Sequence, residues 1–303
     1  MSDELVRYRL MTYNIGGGRK NFGSELESIC QVIREHAPDI LALQEVSAWT
    51  DAEENEHNTI ENIFASGNLF QAHYFGPSLS MRTHFHPGKK IFIKSLFTDC
   101  LDWKQGNGLL SRWPFVRLSD REQRGRPQNL PIHRPAVYHG DRDTEPRHMV
   151  LARVHQGEQA PFIINTHLST LVRERGGAEE AEPAITEKAV TLRVTQIDVL
   201  LQTIETYLLE QRETIFLMGD FNAVAEEASL QKLLAAGFVH LTPRDPIATH
   251  PKVPQPIDHI FVFPPERIAK NECRVIATPI TQEASDHLPV VADVWLDRQP
   301  FSR

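Results

Sequence analysis

Residues 214–222 read Thr214-Ile215-Phe216-Leu217-Met218-Gly219-Asp220-Phe221-Asn222. The apolar run before the glycine is short and rich in strand formers, so it reads as a buried strand. Asp220 and Asn222 stand two positions apart at its carboxyl end, and residues two apart on an extended segment point to the same side. A carboxylate and a carboxamide are therefore offered together where a core strand leaves its sheet. Such a place suits polarising a water or holding an anionic oxygen. Gly219 is expected to let the backbone turn tightly there. Alone, Gly-Asp-x-Asn is also an ordinary strand-to-turn sequence, so its meaning depends on the rest of the chain.

The same arrangement recurs on both sides of it. Val6 to Ile15 reads as a strand ending in Asn14, followed by Gly16-Gly17-Gly18. Ser24 reads as the N-cap of a helix carrying Leu26, Ile29, Cys30 and Ile33, which Pro38 closes. Ile40 to Leu43 is an apolar strand that delivers Gln44-Glu45. Met149 to Val154 and Phe162 to Asn165 read as a hairpin pair, the second leading to Thr166-His167. Lys188 to Leu209 is the strongest helix, with Val190, Val194, Ile197, Leu201, Ile204 and Leu208 on one face. A short helix around Leu230, Leu233 and Leu234 ends at Gly237. Strands follow at 257–262, which carries Asp258, and at 274–277. Ser285-Asp286-His287 precedes the closing strand Val290 to Trp295.

Four polar stretches separate these elements. Residues 51–68 read as an acidic surface helix, and 121–145 as a Pro-rich loop. Residues 174–186 carry Gly176-Gly177 and an acidic run and read as a mobile loop. An insertion at about 76–105 has little periodicity and holds His84, His86, Lys89, Lys90 and Lys94, which favours a soluble substrate loop. With no repeat, linker or low-complexity tract, residues 1–303 read as one domain.

Composition narrows the class. A hydrophobic content of 41% and a charged content of 24% belong to a soluble globular protein. No apolar run approaches the ~20 residues that cross a bilayer, so no stable membrane insertion is expected. The acidic N-terminus leads directly into a strand, and the three cysteines are widely spaced. They read as buried thiols without a disulfide frame, and the expected compartment is the cytoplasm. The net charge of −8 disfavours a protein that grips long nucleic acid. The charge is uneven, however: Arg82 to Arg153 carries ten Arg and four Lys against seven acids. A basic middle on an acidic body suits a local polyanion site.

Asn14, Glu45, His167, Asp220, Asn222, Asp258, Asp286 and His287 thus all stand at the ends of apolar segments. Carboxylates gathered at one sheet edge would repel one another without a cation, and a hard divalent ion with oxygen ligands resolves that. Six motifs occur in order: Thr12-Tyr13-Asn14, Leu43-Gln44-Glu45-Val46, Asn165-Thr166-His167, Gly219-Asp220-Phe221-Asn222, Ile257-Asp258-His259-Ile260 and Ser285-Asp286-His287. Asn107-Gly108 through Ser111-Arg112-Trp113-Pro114 and Arg193-x-x-Gln196 are weaker companions.

In these motifs the chain resembles the metal-dependent endonuclease/exonuclease/phosphatase superfamily. That group includes apurinic-site and DNase I-like nucleases, neutral sphingomyelinases and inositol polyphosphate 5-phosphatases. The resemblance implies an α/β (α+β) fold, a four-layer α/β/β/α sandwich of two mixed β-sheets with the site at one end. It implies Mg2+, with Mn2+ as a substitute, held by Glu45, Asp286 and Asn14. Asp220 would activate the attacking water, and Asn14 and Asn222 would hold the metal shell and phosphate. His287, steadied by Asp258, would donate to the phosphoryl oxygen, and His167 would face the leaving group. Asn107, Arg112, Arg147 and His250 are expected to meet substrate.

The function expected is a phosphodiesterase or nuclease working on a nucleic acid or small phosphodiester, as a monomer. The alternatives are a phosphatase or sphingomyelinase-like phospholipase C, and last a dead binding protein. Gly16 stands where the apurinic-site nucleases carry an acidic residue, which thins the metal shell and lowers the expectation of duplex DNA repair.

Overall fold

Short apolar runs and a few amphipathic segments become paired strands and covering helices in the computed structural model, which describes residues 5–16, 24–85, 100–119, 125–140, 142–175 and 181–297. The first half gives β1 (Val6–Asn14), α1 (Ser24–His36), β2 (Ile40–Asp51), β3 (Glu56–Asn58), α2 (Thr59–Ala65), β4 (Ala72–Ser80) and β5 (Cys100–Ser111). Next come β6 (Gln128–His133), β7 (Arg147–Arg153), β8 (Phe162–His167), α3 (Pro183–Tyr207) and β9 (Ile215–Asp220). The chain ends with α4 (Ala228–Ala235), β10 (Val239–His240), β11 (Asp258–Phe263), β12 (Ile268–Val275), α5 (Pro279–Ala284) and β13 (Val290–Leu296).

Two mixed sheets result. One runs β12-β13-β1-β2-β5-β4, with β3 paired to β2, and the other runs β10-β11-β9-β8-β7-β6. Each contains one parallel pair, β1/β2 and β8/β9, and the remaining pairs are antiparallel. Parallel neighbours need a crossover, and α1 and α3 lie within those two connections. The strands of a parallel pair finish at the same edge. That edge collects Asn14 beside Gln44 in one sheet and His167 beside Asp220 in the other.

The sheets pack face to face. Tyr8, Leu10, Ala42 and Leu109 from the first meet Ala152, Ile163, Phe216 and Met218 from the second. The alternate residues Ile164 and Leu217 face outward onto Ile197, Leu200 and Ile204 of α3 and Leu230 and Leu233 of α4. Met11, Leu41 and Val291 face Ile29 and Ile33 of α1 and Ile60 of α2. Both faces of the central strands are therefore buried, which explains their unbroken apolar runs. The result is the expected α/β/β/α sandwich. No helix among the described residues is long and apolar enough to cross a membrane.

Several local expectations differ. Residues 51–68 hold a turn, β3 and the short α2 rather than one surface helix, because β2 continues past Glu45 and pairs Ala48–Thr50 with β3. Residues 121–145 contain β6, an edge strand whose Pro131 sits at a register shift, where a missing N–H costs no ladder bond. Of the 76–105 stretch, Gly76–Ser80 and Cys100–Gln105 lie in the paired β4 and β5. His86, Lys89, Lys90 and Lys94 lie outside the described residues, as do Gly176 and Gly177. Pro183 to Thr186, read as loop, form the first turn of α3, with the proline where its absent N–H is harmless.

α3 presents a face turned partly away from the one its aliphatic residues mark, although Ile197, Ile204 and Leu208 are buried as expected. Its buried residues include Arg193 and Gln196 beside Ala189, Ile197, Leu200 and Ile204, while Val190 and Val194 are only partly buried. The polar pair draws the helix round. Arg193 grips Glu227 through two contacts of 2.7 and 2.6 Å and Glu174 at 2.6 Å, and Gln196 holds both the N–H and the hydroxyl of Ser169.

Gly219 is not a turn residue. It lies inside β9 opposite Thr166, and a Cβ there would stand 2.0 Å from the Thr166 carbonyl oxygen. The glycine is required by close strand approach, and no side chain can move aside to relieve the clash. Gly219→Ala is expected to cost at least the ~1–3 kcal/mol typical of overpacking. Denaturant unfolding would check this, and a variant as stable as wild type would contradict the close approach.

Candidate active site

The antiparallel strands bring the remaining groups to the same edge. Asp258 begins β11 rather than ending a strand, and its register places it directly beside Asp220. β13 pairs Val290 with Thr12, so Asp286 and His287, just before it, lie next to the end of β1. The Ser285 hydroxyl donates to the Asn14 carbonyl at 2.8 Å and accepts from the His287 N–H at 3.2 Å, which fixes that approach.

Asp220 is the hub. Its Oδ1 accepts from the Asn222 N–H at 2.9 Å, and its Oδ2 accepts from Asn14 Nδ2 at 2.9 Å across the two sheets. The Nε2 atoms of His167 and His287 lie 3.5 and 3.7 Å from the same Oδ2. Further amides stitch the sheets beneath. Gln44 donates to Asn165 at 2.8 Å, Asn165 donates to the Leu43 and Gly108 carbonyls, and Asn107 donates to the His148 carbonyl at 2.8 Å.

Glu45 stands at a break in the β2/β5 register and has a positive φ of 57°. Bulges and left-handed non-glycine residues concentrate at functional sites because they re-aim a side chain at some cost in strain. Here the break turns Glu45 toward Asn14 Nδ2, which donates to Oε1 at 3.3 Å, and Gln105 Nε2, which donates to Oε2 at 3.4 Å. Asn222, at φ 49°, is held by the Leu168 carbonyl and by Arg175.

The two imidazoles are held in different states. His287 Nδ1 donates to Asp258 Oδ2 at 2.9 Å. Burial alone would lower its pKa, but the charges of Asp258 and Asp220 outweigh this and hold it near 10. His167 is pushed well below the usual range, first by burial and then by Arg147. Arg147 Nη1 lies 3.1 Å from His167 Nδ1, and a guanidinium can only donate. His167 is therefore neutral, with its hydrogen on Nε2. The Asp220 carboxyl is raised, first by burial and then by Asp258, with His287 opposing.

Of the side chains singled out from the sequence, Asn14, Glu45, His167, Asp220, Asn222, Asp258, Asp286 and His287 gather at this edge. His250 joins them, its ring 4.7 Å from that of His287 and its Nε2 3.9 Å from Asp286 Oδ2. Asn107 is nearby but buried as a link between sheets. Arg112 is not brought in: it follows the opposite end of β5 and pairs with Asp39 at 3.2 Å, beneath β1 and β2. Arg147, also singled out, lies at the site against His167, while Gln105 and Arg175 belong to it without any motif that marks them. Asp220, Asp258 and His287 have ligand atoms within 4.8 Å of one another, close enough to hold a metal ion.

A second histidine pair lies behind Asn222. His259 Nε2 donates to the Ala223 carbonyl at 2.8 Å, and its Nδ1 lies 3.0 Å from His240 Nε2. Burial, with His240 adding, lowers the His259 pKa to about 3. An unfolded His titrates near 6.5, so below that pH the unfolded chain takes up a proton that the fold refuses. Stability from this group is complete above pH 6.5 and falls as the pH drops toward 3. Between pH 7 and 5 the loss amounts to about 2 kcal/mol. His259→Gln, which keeps an N–H for Ala223, is expected to shrink the difference in unfolding free energy between those two pH values by that amount. An unchanged difference would contradict it.

Comparison with known proteins gives a consistent result. The model of the Endonuclease/Exonuclease/phosphatase family matches residues 11–287. No curated protein sequence matches. Among solved structures, an endonuclease/exonuclease/phosphatase from Beutenbergia cavernae superposes with a TM-score of 0.65 at 20% identity, over 98% of this chain and 73% of that one. The human Nocturnin catalytic domain with bound sulfate anion gives 0.62 at 18%, over 97% of each chain. Truncated Caenorhabditis elegans TDP2 gives 0.58 at 13%, over 95% and 98%. The chain belongs to the endonuclease/exonuclease/phosphatase family, whose members are generally phosphoester hydrolases that depend on a divalent metal ion.

Proposed function

We propose that the chain is a Mg2+-dependent phosphodiesterase that hydrolyses a P–O bond by in-line attack of water. The observation that carries this reading is the shared position of Asp220 Oδ2, within 3.7 Å of one charged and one neutral imidazole. Hydrolysis of a phosphoester needs a base for the water, positive charge at the phosphoryl oxygens and a donor for the leaving group. His287, held as imidazolium near pKa 10, cannot accept a proton at neutral pH and suits a phosphoryl oxygen. Asp220, with a raised carboxyl pKa, is then the group left to orient and deprotonate water. Asp258 keeps His287 charged and aimed. The Nε2–H of His167 is available to the leaving oxygen, because Arg147 fills its Nδ1. Asn14 and Asn222 orient Asp220 and face the phosphate.

The donor chemistry fits a hard cation. Glu45 and Asp286 offer carboxylate oxygens at the rim and would hold Mg2+ or Mn2+, whereas the buried Asn14, expected as a third ligand, turns its amide nitrogen to Glu45 and Asp220 and its oxygen to the Gly16 N–H. An imidazolium has no lone pair to give, which argues for this rim set over the group that includes His287. A bound divalent cation supplies positive charge against the phosphoryl oxygens and makes water easier to ionise.

Substrate class is tested by a screen with Mg2+ or Mn2+ over plasmid, single-stranded DNA, RNA, sphingomyelin, inositol phosphates and bis-p-nitrophenyl phosphate. Diester cleavage is the expected result. Cleavage of monoesters alone would overturn the diester reading. If nucleic acid is the substrate, its binding should weaken steeply with added salt.

A further inference from the structure

We propose that Arg175 is a substrate-contacting residue of this site, its guanidinium binding the non-bridging oxygens of the scissile phosphate beside Asn222. The inference rests on the phosphoester reading above and deepens it. No sequence motif marks Arg175; its position does. Nη1 donates to Asn222 Oδ1 at 3.2 Å, and Nη2 donates to the Asn222 carbonyl. Nε stands 3.8 Å from Glu174 Oε1. An arginine has five N–H groups. At most three are committed here, which leaves one N–H on each terminal nitrogen, and either can donate to a phosphate oxygen.

The charge also lacks a close carboxylate. Glu174 is already engaged by Arg193 at 2.6 Å, by the Leu171 N–H at 2.9 Å and by Thr170 Oγ1 at 3.2 Å. Glu227 is taken by the bidentate contact of Arg193. Arg175 is thus a mostly buried cation, its side chain 21% exposed, whose single ion pair among the described residues is a 3.8 Å contact with an acid neutralised elsewhere. Burial lowers its pKa, while Glu174 and Asp220 act to raise it. Its charge also reaches His250, whose ring packs on His287. The guanidinium therefore sits beside Asn222, close enough to Asp220 and His250 for its charge to act on both. An anion there would supply the missing partner.

The ion pairs behind it fix that position. Glu174 is buried on Arg193, so the residue before Arg175 is anchored to α3 and, through Glu227, to the loop after β9. A strut for Asn222 alone would need only one of the two terminal contacts. The proposal adds a phosphate oxygen at a terminal N–H that Asn222 leaves unused.

The test uses the full chain with Mg2+. Inorganic phosphate binding is measured by calorimetry for wild type, Arg175→Met and Arg175→Lys, beside thermal melting and the kcat and KM of bis-p-nitrophenyl phosphate hydrolysis. Arg175→Met is expected to keep its melting temperature and to bind phosphate at least ~10-fold more weakly. Its kcat/KM should fall ~10²–10³-fold, the range for loss of one donor to a developing oxyanion, and added guanidinium should restore part of it. Wild-type phosphate affinity in a stable Arg175→Met protein overturns the proposal, as does wild-type protein that binds no phosphate. If Arg175→Met does not fold, Arg175→Lys decides: it keeps the charge but loses the second terminal nitrogen needed to hold Asn222 and phosphate together, so undiminished affinity overturns the proposal. Phosphate binding that depends on Arg175, in a protein that hydrolyses no phosphoester, supports the inference while removing the proposed function.

Discussion

Asp220→Asn is expected to lower kcat/KM for a phosphodiester by about 10²–10⁴-fold, the contribution typical of a positioned general base. The substitution keeps nearly the same shape while removing the proton acceptor. Asn retains a carbonyl oxygen for the Asn222 N–H, now 2.9 Å from Asp220 Oδ1. What disappears is the anionic Oδ2 that faces Asn14, His167 and His287. Removing that charge also lets the His287 pKa fall, so stability and the rate-pH profile must both be read. A folded variant whose acidic limb is lost along with its rate supports the base role. A loss of only a few-fold would remove Asp220 from that role.

Glu45→Ala is expected to abolish metal-dependent turnover while leaving the fold intact. Glu45 contributes a half-buried carboxylate and little core, so its loss opens no large cavity. The left-handed backbone at φ 57° is unfavourable for either residue, so its strain is common to both chains. Glu45→Gln is the companion variant: it keeps the length and the oxygen that amides contact, but removes the charge a cation needs. Both should raise the metal concentration required for half-maximal rate, or eliminate the response altogether. Normal metal dependence in either variant would exclude Glu45 from the metal site.

Much of the fold was legible because the sandwich buries both faces of its central strands. The apolar runs that open β2, β8 and β9, and the strand formers of β1, each leading to a polar group, identified the elements and the edge where they converge. Two features were hidden by the way the strands pair. Asp258 and His287 begin or precede strands, and only the antiparallel register of β11 and β13 brings those beginnings to the edge where the parallel pairs end. Edge strand β6 was hidden by its own proline and polar residues.

The site was legible where a side chain stands at a strand end and obscure where it acts through the fold. Asn14, Glu45, His167 and Asp220 belong to the first kind. Arg175 belongs to the second, because nothing in a linear pattern separates a buried arginine from a solvated one. Arg193 and Gln196 turn the buried face of α3 away from Val190 and Val194, while Ile197, Ile204 and Leu208 of the aliphatic stripe stay in the core. Arg112 is the converse case. It follows a motif-like stretch, yet its strand runs antiparallel to β2 and carries it to the far end of the sheet, onto Asp39.

The account rests most directly on metal-dependent hydrolysis centred on Asp220. The decisive measurement is the rate of bis-p-nitrophenyl phosphate hydrolysis by chelator-treated protein as Mg2+ is titrated back, for wild type beside Asp220→Asn. Wild type should be inactive in chelator and recover with Mg2+, and the variant should stay inactive at every Mg2+ concentration. Hydrolysis that persists in chelator, or that Asp220→Asn supports at the wild-type rate, would contradict the account.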